Sequence, residues 1–125
     1  MASIVIVEDN PDNMKLIQTL LRLKGHTLTG LESGDGLLET LERELPDLVL
    51  MDIQLPERDG YALLGDIRAS PHASTRVIAL TAHAMTGDRE RALAAGFDGY
   101  ITKPIDIREF PEQVARLLAG EGLNA

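Results

Sequence analysis

The chain contains no cysteine, which excludes a disulfide framework and any thiolate metal or redox site. Long apolar runs are missing: none approaches the roughly 20 residues a membrane-spanning helix needs. The opening Met1-Ala2-Ser3 and the short apolar run after it lack the basic region and cleavage site of a signal peptide. A cytoplasmic location without membrane insertion is therefore expected. No repeat or low-complexity tract is present. Basic residues are few, 12 against 20 acidic, for a net charge of −8. That field repels phosphate backbones and argues against direct nucleic-acid binding. Gly30, Gly34 and Gly36 form no Walker lysine motif and no complete G-x-G-x-x-G. A G-x-S-x-G elbow is lacking, so a serine hydrolase has no support. His26, His72 and His83 do not have metal-ligand spacing.

What remains is an ordinary globular composition, with 44% hydrophobic and 26% charged residues. A length of 125 residues suits a single domain. One domain over residues 1–125, with no separate output or catalytic module, is the expectation. Three short apolar runs read as strands buried on both faces: Ile4-Val5-Ile6-Val7, Leu48-Val49-Leu50-Met51 and Val77-Ile78-Ala79-Leu80. Thr27-Leu28-Thr29 and Tyr100-Ile101-Thr102 are weaker and suit sheet edges.

Helical patterns separate the strands. Asn10 is a cap with Pro11 at the first position. Met14, Ile17 and Leu21 then form one stripe, Leu16, Leu20 and Leu23 its neighbour, and Gly25 the end. Ser33 is the expected cap of a second helix carrying Leu37, Leu38 and Leu41, stopped before Pro46. Further helices are expected over residues 60–68 and 86–95, the latter stopped by Gly96. A fifth opens at Asp106 with Glu109 as capping-box partner and an apolar stripe of Ile107, Phe110, Val114, Leu117 and Leu118. Pro111 makes its first turn irregular.

Strand and helix alternate five times. This order specifies an α/β fold, a doubly wound (βα)5 sandwich around a parallel sheet. Central placement of the three apolar strands matches the order 2-1-3-4-5. In such sheets ligands bind beyond the carboxyl ends of the strands. The chain delivers Glu8 and Asp9 there after strand one, Asp52 at strand three, Thr81 after strand four, and Lys103-Pro104 after strand five. Singly, each is an ordinary cap, turn former or solvated side chain. Jointly they are specific. Converging carboxylates prefer a hard divalent cation, and Mg²⁺ fits because it takes oxygen ligands and sits beside phosphates. A hydroxyl and an amine next to it suit a tetrahedral anion. Phosphoryl transfer needs in-line positioning and charge neutralisation, and aspartate can be a covalent phosphoryl acceptor.

These residues resemble the receiver domain of two-component response regulators, the CheY-like superfamily. The resemblance rests on Val7-Glu8-Asp9-Asn10, Leu50-Met51-Asp52-Ile53-Gln54-Leu55-Pro56, Asp59-Gly60, Ala79-Leu80-Thr81-Ala82 and Tyr100-Ile101-Thr102-Lys103-Pro104-Ile105. It covers essentially the whole chain. The stretch from Leu80 to Pro104 is most similar to receivers of hybrid kinases and to single-domain regulators of the DivK kind.

The resemblance implies a phosphorylation-activated switch. Asp52 would be the phosphoacceptor, taking its phosphoryl group from a phosphohistidine of a histidine kinase or histidine phosphotransfer protein. Mg²⁺ would be bound by Asp9, Asp52 and the Gln54 backbone carbonyl, with Glu8 acting through water. Lys103 would pair with Asp52 and then with the phosphoryl group, and Thr81 would donate its hydroxyl to it. Ala82 would leave room, Lys103–Pro104 would be cis, and Tyr100 would swing inward when Thr81 moves. The switch loop would span residues 81–88, and Gln54 and His83 would tune the phosphoryl lifetime. An effector protein would read the face of helix four, strand five and helix five, or phosphate would pass onward in a relay. The chain would be a regulator and not an enzyme beyond its own phosphorylation and dephosphorylation.

A flavodoxin-like FMN carrier would need a Ser/Thr/Gly-rich loop where Glu8-Asp9-Asn10-Pro11 stands. A haloacid-dehalogenase-type phosphatase would need an acid at Gln54. The remaining alternative is a non-switching protein-interaction domain of the same fold, against which Asp52, Thr81 and Lys103 weigh.

Overall fold

Alternation along each strand assigns neighbouring side chains to opposite faces of the sheet. In a computed structural model, which describes residues 2–82 and 86–120, both faces are apolar and both are covered. The elements run β1 (Ser3–Val7), α1 (Pro11–Arg22), β2 (Thr27–Leu31), α2 (Leu37–Glu44), β3 (Leu48–Asp52), α3 (Gly60–Arg68), β4 (Val77–Thr81), α4 (Thr86–Ala95), β5 (Gly99–Thr102) and α5 (Phe110–Leu118). All strand pairs are parallel, in the order β2-β1-β3-β4-β5.

One face carries Val5, Val7, Val49, Met51, Val77 and Ala79, packed with Leu37, Leu41, Leu63, Leu64, Ile67 and Ala92 of α2, α3 and α4. The other carries Ile4, Ile6, Leu48, Leu50, Ile78 and Leu80, packed with Ile17, Leu21, Phe110, Val114 and Leu117 of α1 and α5. Every residue of β3 and β4 is buried, as two-sided covering requires. Edge strand β2 is only partly buried. The other edge, β5, is buried over its first three residues.

Asn10 caps α1, its side chain accepting from the Asp12 and Asn13 amides at 2.9 and 3.0 Å. The helix stops at Arg22, and the chain reverses at Gly25 with φ 85°. Leu23 lies past the last helical turn and is 78% exposed, so it does not join the apolar stripe.

Two helix starts differ from the expectation. Ser33 does not cap α2; its hydroxyl accepts from the Asp35 amide. The N-cap is Gly36 in the left-handed region at φ 75°, without a side-chain cap. An extra loop turn thus separates Ser33 from the helix. Leu38 is 36% exposed and faces outward, leaving burial to Leu37 and Leu41.

Likewise, α5 begins at Phe110 and not at Asp106. Asp106 Oδ1 accepts from the Arg108 and Glu109 amides, so it caps an isolated turn. Among the described residues Glu109 makes no side-chain cap bond, so the capping box is not formed. Pro111 has no N–H to offer the Ile107 carbonyl, which breaks the ladder between that turn and the helix. Ile107, expected in the buried stripe, consequently lies before the helix and is 63% exposed.

Candidate functional site

Strand ends position the polar residues. The register aligns β1, β3 and β4 so that Glu8, Asp52 and Thr81 emerge at the same rim. Glu8 directly follows β1; its amide donates to the Leu31 carbonyl at 2.9 Å, extending the ladder towards β2. Asp52 and Thr81 are the last residues of β3 and β4. Glu8, Asp52 and Thr81 are 1%, 3% and 2% exposed, whereas Asp9 is exposed.

Both oxygens of Asp52 are engaged. Oδ1 accepts from the Gln54 amide at 2.9 Å, and Oδ2 accepts from Lys103 Nζ at 2.9 Å. The same ammonium contacts Glu8 Oε1 at 2.7 Å. Beyond this ion pair, the buried Oε1 has no other hydrogen-bond partner among the described residues. Glu8 Oε2 accepts from the Asn10 amide at 3.2 Å. Lys103 follows β5, tied by its amide to the Thr81 carbonyl at 2.7 Å. The Lys103–Pro104 peptide is cis.

The electrostatics follow from this crowding. Burial pushes the Glu8 carboxyl up to about 7, and the facing Asp52 carboxylate adds to the rise against Lys103 and the Asn10 amide. For Lys103, burial pulls the pKa down, but Glu8 and Asp52 together outweigh it and leave it raised. One ammonium therefore serves two buried carboxylates.

Glu8, Asp9 and Asp52 each present an oxygen, and the three lie within 4.8 Å of one another. An all-oxygen donor set of three carboxylates, two of them buried and sharing a single ammonium and the third exposed on the water side, fits a hard divalent cation such as Mg²⁺.

Next to this cluster lies a cleft of about 350 Å³ bordered by Ile53, Gln54, Asp59, Tyr61, Thr81, Asp88, Arg91 and Tyr100. Tyr100 is 9% exposed and belongs to the core layer shared with Ala92 and Phe97, so its ring is directed inward. Ala82 is exposed just beyond Thr81. His83, and the part of the 81–88 loop between Ala82 and Thr86, lie outside the described residues.

Several contacts at the site have no signature in the sequence. Glu8 contacts Lys103 directly; adjacency to Asp9 showed the charge but not the burial. The Asp59 cap on α3, accepting from the Ala62 amide at 2.9 Å, is by contrast of a residue type that signals a helix start locally. Tyr61 meets Phe97 edge-on at 5.7 Å, and the Arg91 guanidinium lies 4.6 Å from its ring centre. No spacing rule links α3 to α4 in this way.

A doubly wound sheet with a buried aspartate, a lysine and a cation-ready acid cluster at one rim defines a phosphoryl-accepting switch module. Comparison with known proteins bears this out. The chain belongs to the response regulator receiver domain family, which matches residues 4–115. It is 42% identical over 119 residues to the polar-differentiation response regulator DivK of Brucella ovis, covering 93% of this chain and 95% of that protein. It is 38% identical to the signal transduction histidine-protein kinase BarA of Escherichia coli, covering 98% of this chain but 14% of the kinase. A sensor histidine kinase receiver from Pseudomonas aeruginosa, solved with magnesium coordinated in its active-site cleft, is 37% identical with a TM-score of 0.83, over 96% of this chain and 98% of that one. The chain is thus a receiver of two-component signal transduction, a phosphorylation-activated switch.

Proposed function

We propose that Asp52 accepts a phosphoryl group from a phosphohistidine on a histidine kinase or histidine phosphotransfer protein. The observation that carries this is the state of its carboxylate: buried, held at both oxygens, and bordered by Lys103, Glu8 and Asp9. An Asp52 oxygen attacks phosphorus and forms an O–P bond. The P–N bond breaks, and the imidazole nitrogen leaves with the bonding pair and takes up a proton. Asp9, Asp52 and the Gln54 backbone carbonyl would hold Mg²⁺, with Glu8 acting through water. The cation supplies neutralisation of phosphoryl charge. Lys103 neutralises charge from the other side and then transfers its pairing from Asp52 to the phosphoryl group.

Thr81 rewards the active loop position through its hydroxyl, with Ala82 leaving space and Tyr100 filling the inward position. An effector protein reads α4, β5 and α5, or the phosphoryl group moves on in a relay. The receiver domain acts as a cytoplasmic regulator and catalyses nothing beyond its own phosphorylation and dephosphorylation. Nucleic acid and membrane are not its direct targets; no described helix is long and apolar enough to cross a membrane.

The test is incubation with acetyl phosphate and Mg²⁺, followed by intact mass measurement. One phosphoryl group, labile in base as acyl phosphates are, is expected on the wild type and none on Asp52→Asn. Equal incorporation in both removes Asp52 from the role.

A further inference from the structure

Helix α3 starts in direct contact with the backbone of Asp52. The Gly60 amide donates to the Ile53 carbonyl at 2.8 Å, and Gly60 is buried. A β-carbon on Gly60 would stand 2.8 Å from the Asp52 carbonyl oxygen and 2.8 Å from the Ile53 α-carbon. Gly60 is not among the residues with positive φ, so the requirement is for space and not for an unusual conformation. Both obstructing atoms are backbone and have no rotamer into which to retreat.

The contact closes a clamp on Ile53. On one side the Ile53 amide donates to the Leu80 carbonyl of β4 at 3.0 Å. On the other its carbonyl takes the Gly60 amide. The next amide along, that of Gln54, is thereby directed at Asp52 Oδ1. Lys103 holds Oδ2. The orientation of the carboxylate therefore depends on how closely α3 can seat.

We propose that Gly60 is a positioning residue for the phosphoacceptor, its missing side chain letting α3 seat on the Asp52–Ile53 backbone and so aim the carboxylate for attack and for cation binding. The exposed loop before it, residues 56–59, supplies length but does not set the position. This rests on the reading of Asp52 as phosphoacceptor. A methyl at Gly60 would push the two backbones apart by roughly 0.5 Å, at the limit of productive geometry.

The experiment compares wild type, Gly60→Ala, Ile67→Val, and a variant with one glycine inserted between Glu57 and Arg58. Ile67→Val alters a fully buried side chain of the same helix two turns away and controls for simple loss of packing. Circular dichroism reports folding. Acetyl phosphate titrations give the saturating phosphorylation rate and the half-saturating donor concentration. Melting temperature against MgCl2 concentration gives cation affinity without any phosphorylation.

Gly60→Ala is expected to keep its helical signal, lose at least about tenfold in saturating rate with the half-saturating donor concentration nearly unchanged, and need several-fold more MgCl2 for its melting shift. Ile67→Val and the insertion should stay within about twofold of wild type in both readouts. Wild-type rate and MgCl2 response in Gly60→Ala would overturn the proposal, as would an equal loss in the insertion or Ile67→Val. Should Gly60→Ala not fold, the insertion decides: wild-type behaviour supports a seat set by contact, and lost MgCl2 response refutes it. Failure of the wild type itself to be labelled on Asp52 would defeat the phosphoacceptor reading, and the MgCl2 response would still judge Gly60.

Discussion

Replacing Glu8 by glutamine removes one negative charge from the rim and leaves its shape. The wild-type carboxyl has its pKa raised from an ordinary 4.5 to about 7, by burial first and by the facing Asp52 carboxylate second. The native state thus holds this proton more tightly than the unfolded chain does. Below pH 4.5 the group is protonated in both states and costs nothing. Between 4.5 and about 7 the unfolded chain ionises first, and wild-type stability falls as pH rises. Above about 7 the full cost is present. At about 1.4 kcal/mol per tenfold change, the cost reaches about 3 kcal/mol. A domain of this size is stable by roughly 5–15 kcal/mol, so the effect is large.

The amide introduced by Glu8→Gln does not titrate. Without metal, wild type minus Glu8→Gln in unfolding free energy should therefore become more negative by about 3 kcal/mol between pH 4.5 and 7.5. The assay is urea unfolding followed by circular dichroism at several pH values in EDTA. A difference constant with pH would refute the reasoning, because it would mean that the buried carboxyl titrates alike in both states.

Millimolar Mg²⁺ should raise the wild-type melting temperature by mass action and raise that of Asp9→Asn much less; equal shifts would separate Asp9 from the cluster. Thr81→Ala should still accept a phosphoryl group yet gain little partner affinity from it, since one hydrogen bond to a charged group contributes roughly 1.5–3 kcal/mol; an undiminished gain measured by calorimetry would remove Thr81 from the switch. Arg68 donates to the carbonyls of Ala73, Thr75 and Gly96 and to Asp98, joining the ends of α3 and α4 to the start of β4. Arg68→Ala should cost about 2–3 kcal/mol in urea unfolding while leaving acetyl phosphate labelling intact, and a loss below roughly 0.5 kcal/mol would show the network to be solvated.

The sheet was legible because its signals are local. Buried parallel strands are continuous apolar runs, and their alternation with helical patterns leaves few topologies. Asp9, Asp52, Thr81 and Lys103 were legible for a related reason: parallel strands all end on the same side, so residues after each run must share a rim. Helix starts were less legible. Ser33 and Asp106 both precede helical patterns, but a loop turn at Gly36 and the missing N–H of Pro111 displaced the actual first turns.

Other features depend on distances between segments far apart in sequence, and only the folded chain decides them. Nothing local showed that Glu8 would be buried against the distant Lys103, with its pKa carried to about 7. Adjacent acids give charge, but desolvation depends on what covers them. The α3–α4 contact of Tyr61 with Arg91 and Phe97 is of the same kind. So is the requirement for glycine at position 60. The sequence by itself determined which chemistry reaches the rim, because strand direction and residue type are local properties. Tertiary structure decided how closely those groups meet, because burial, shared ion pairs and backbone contact arise only when helices seat on the sheet.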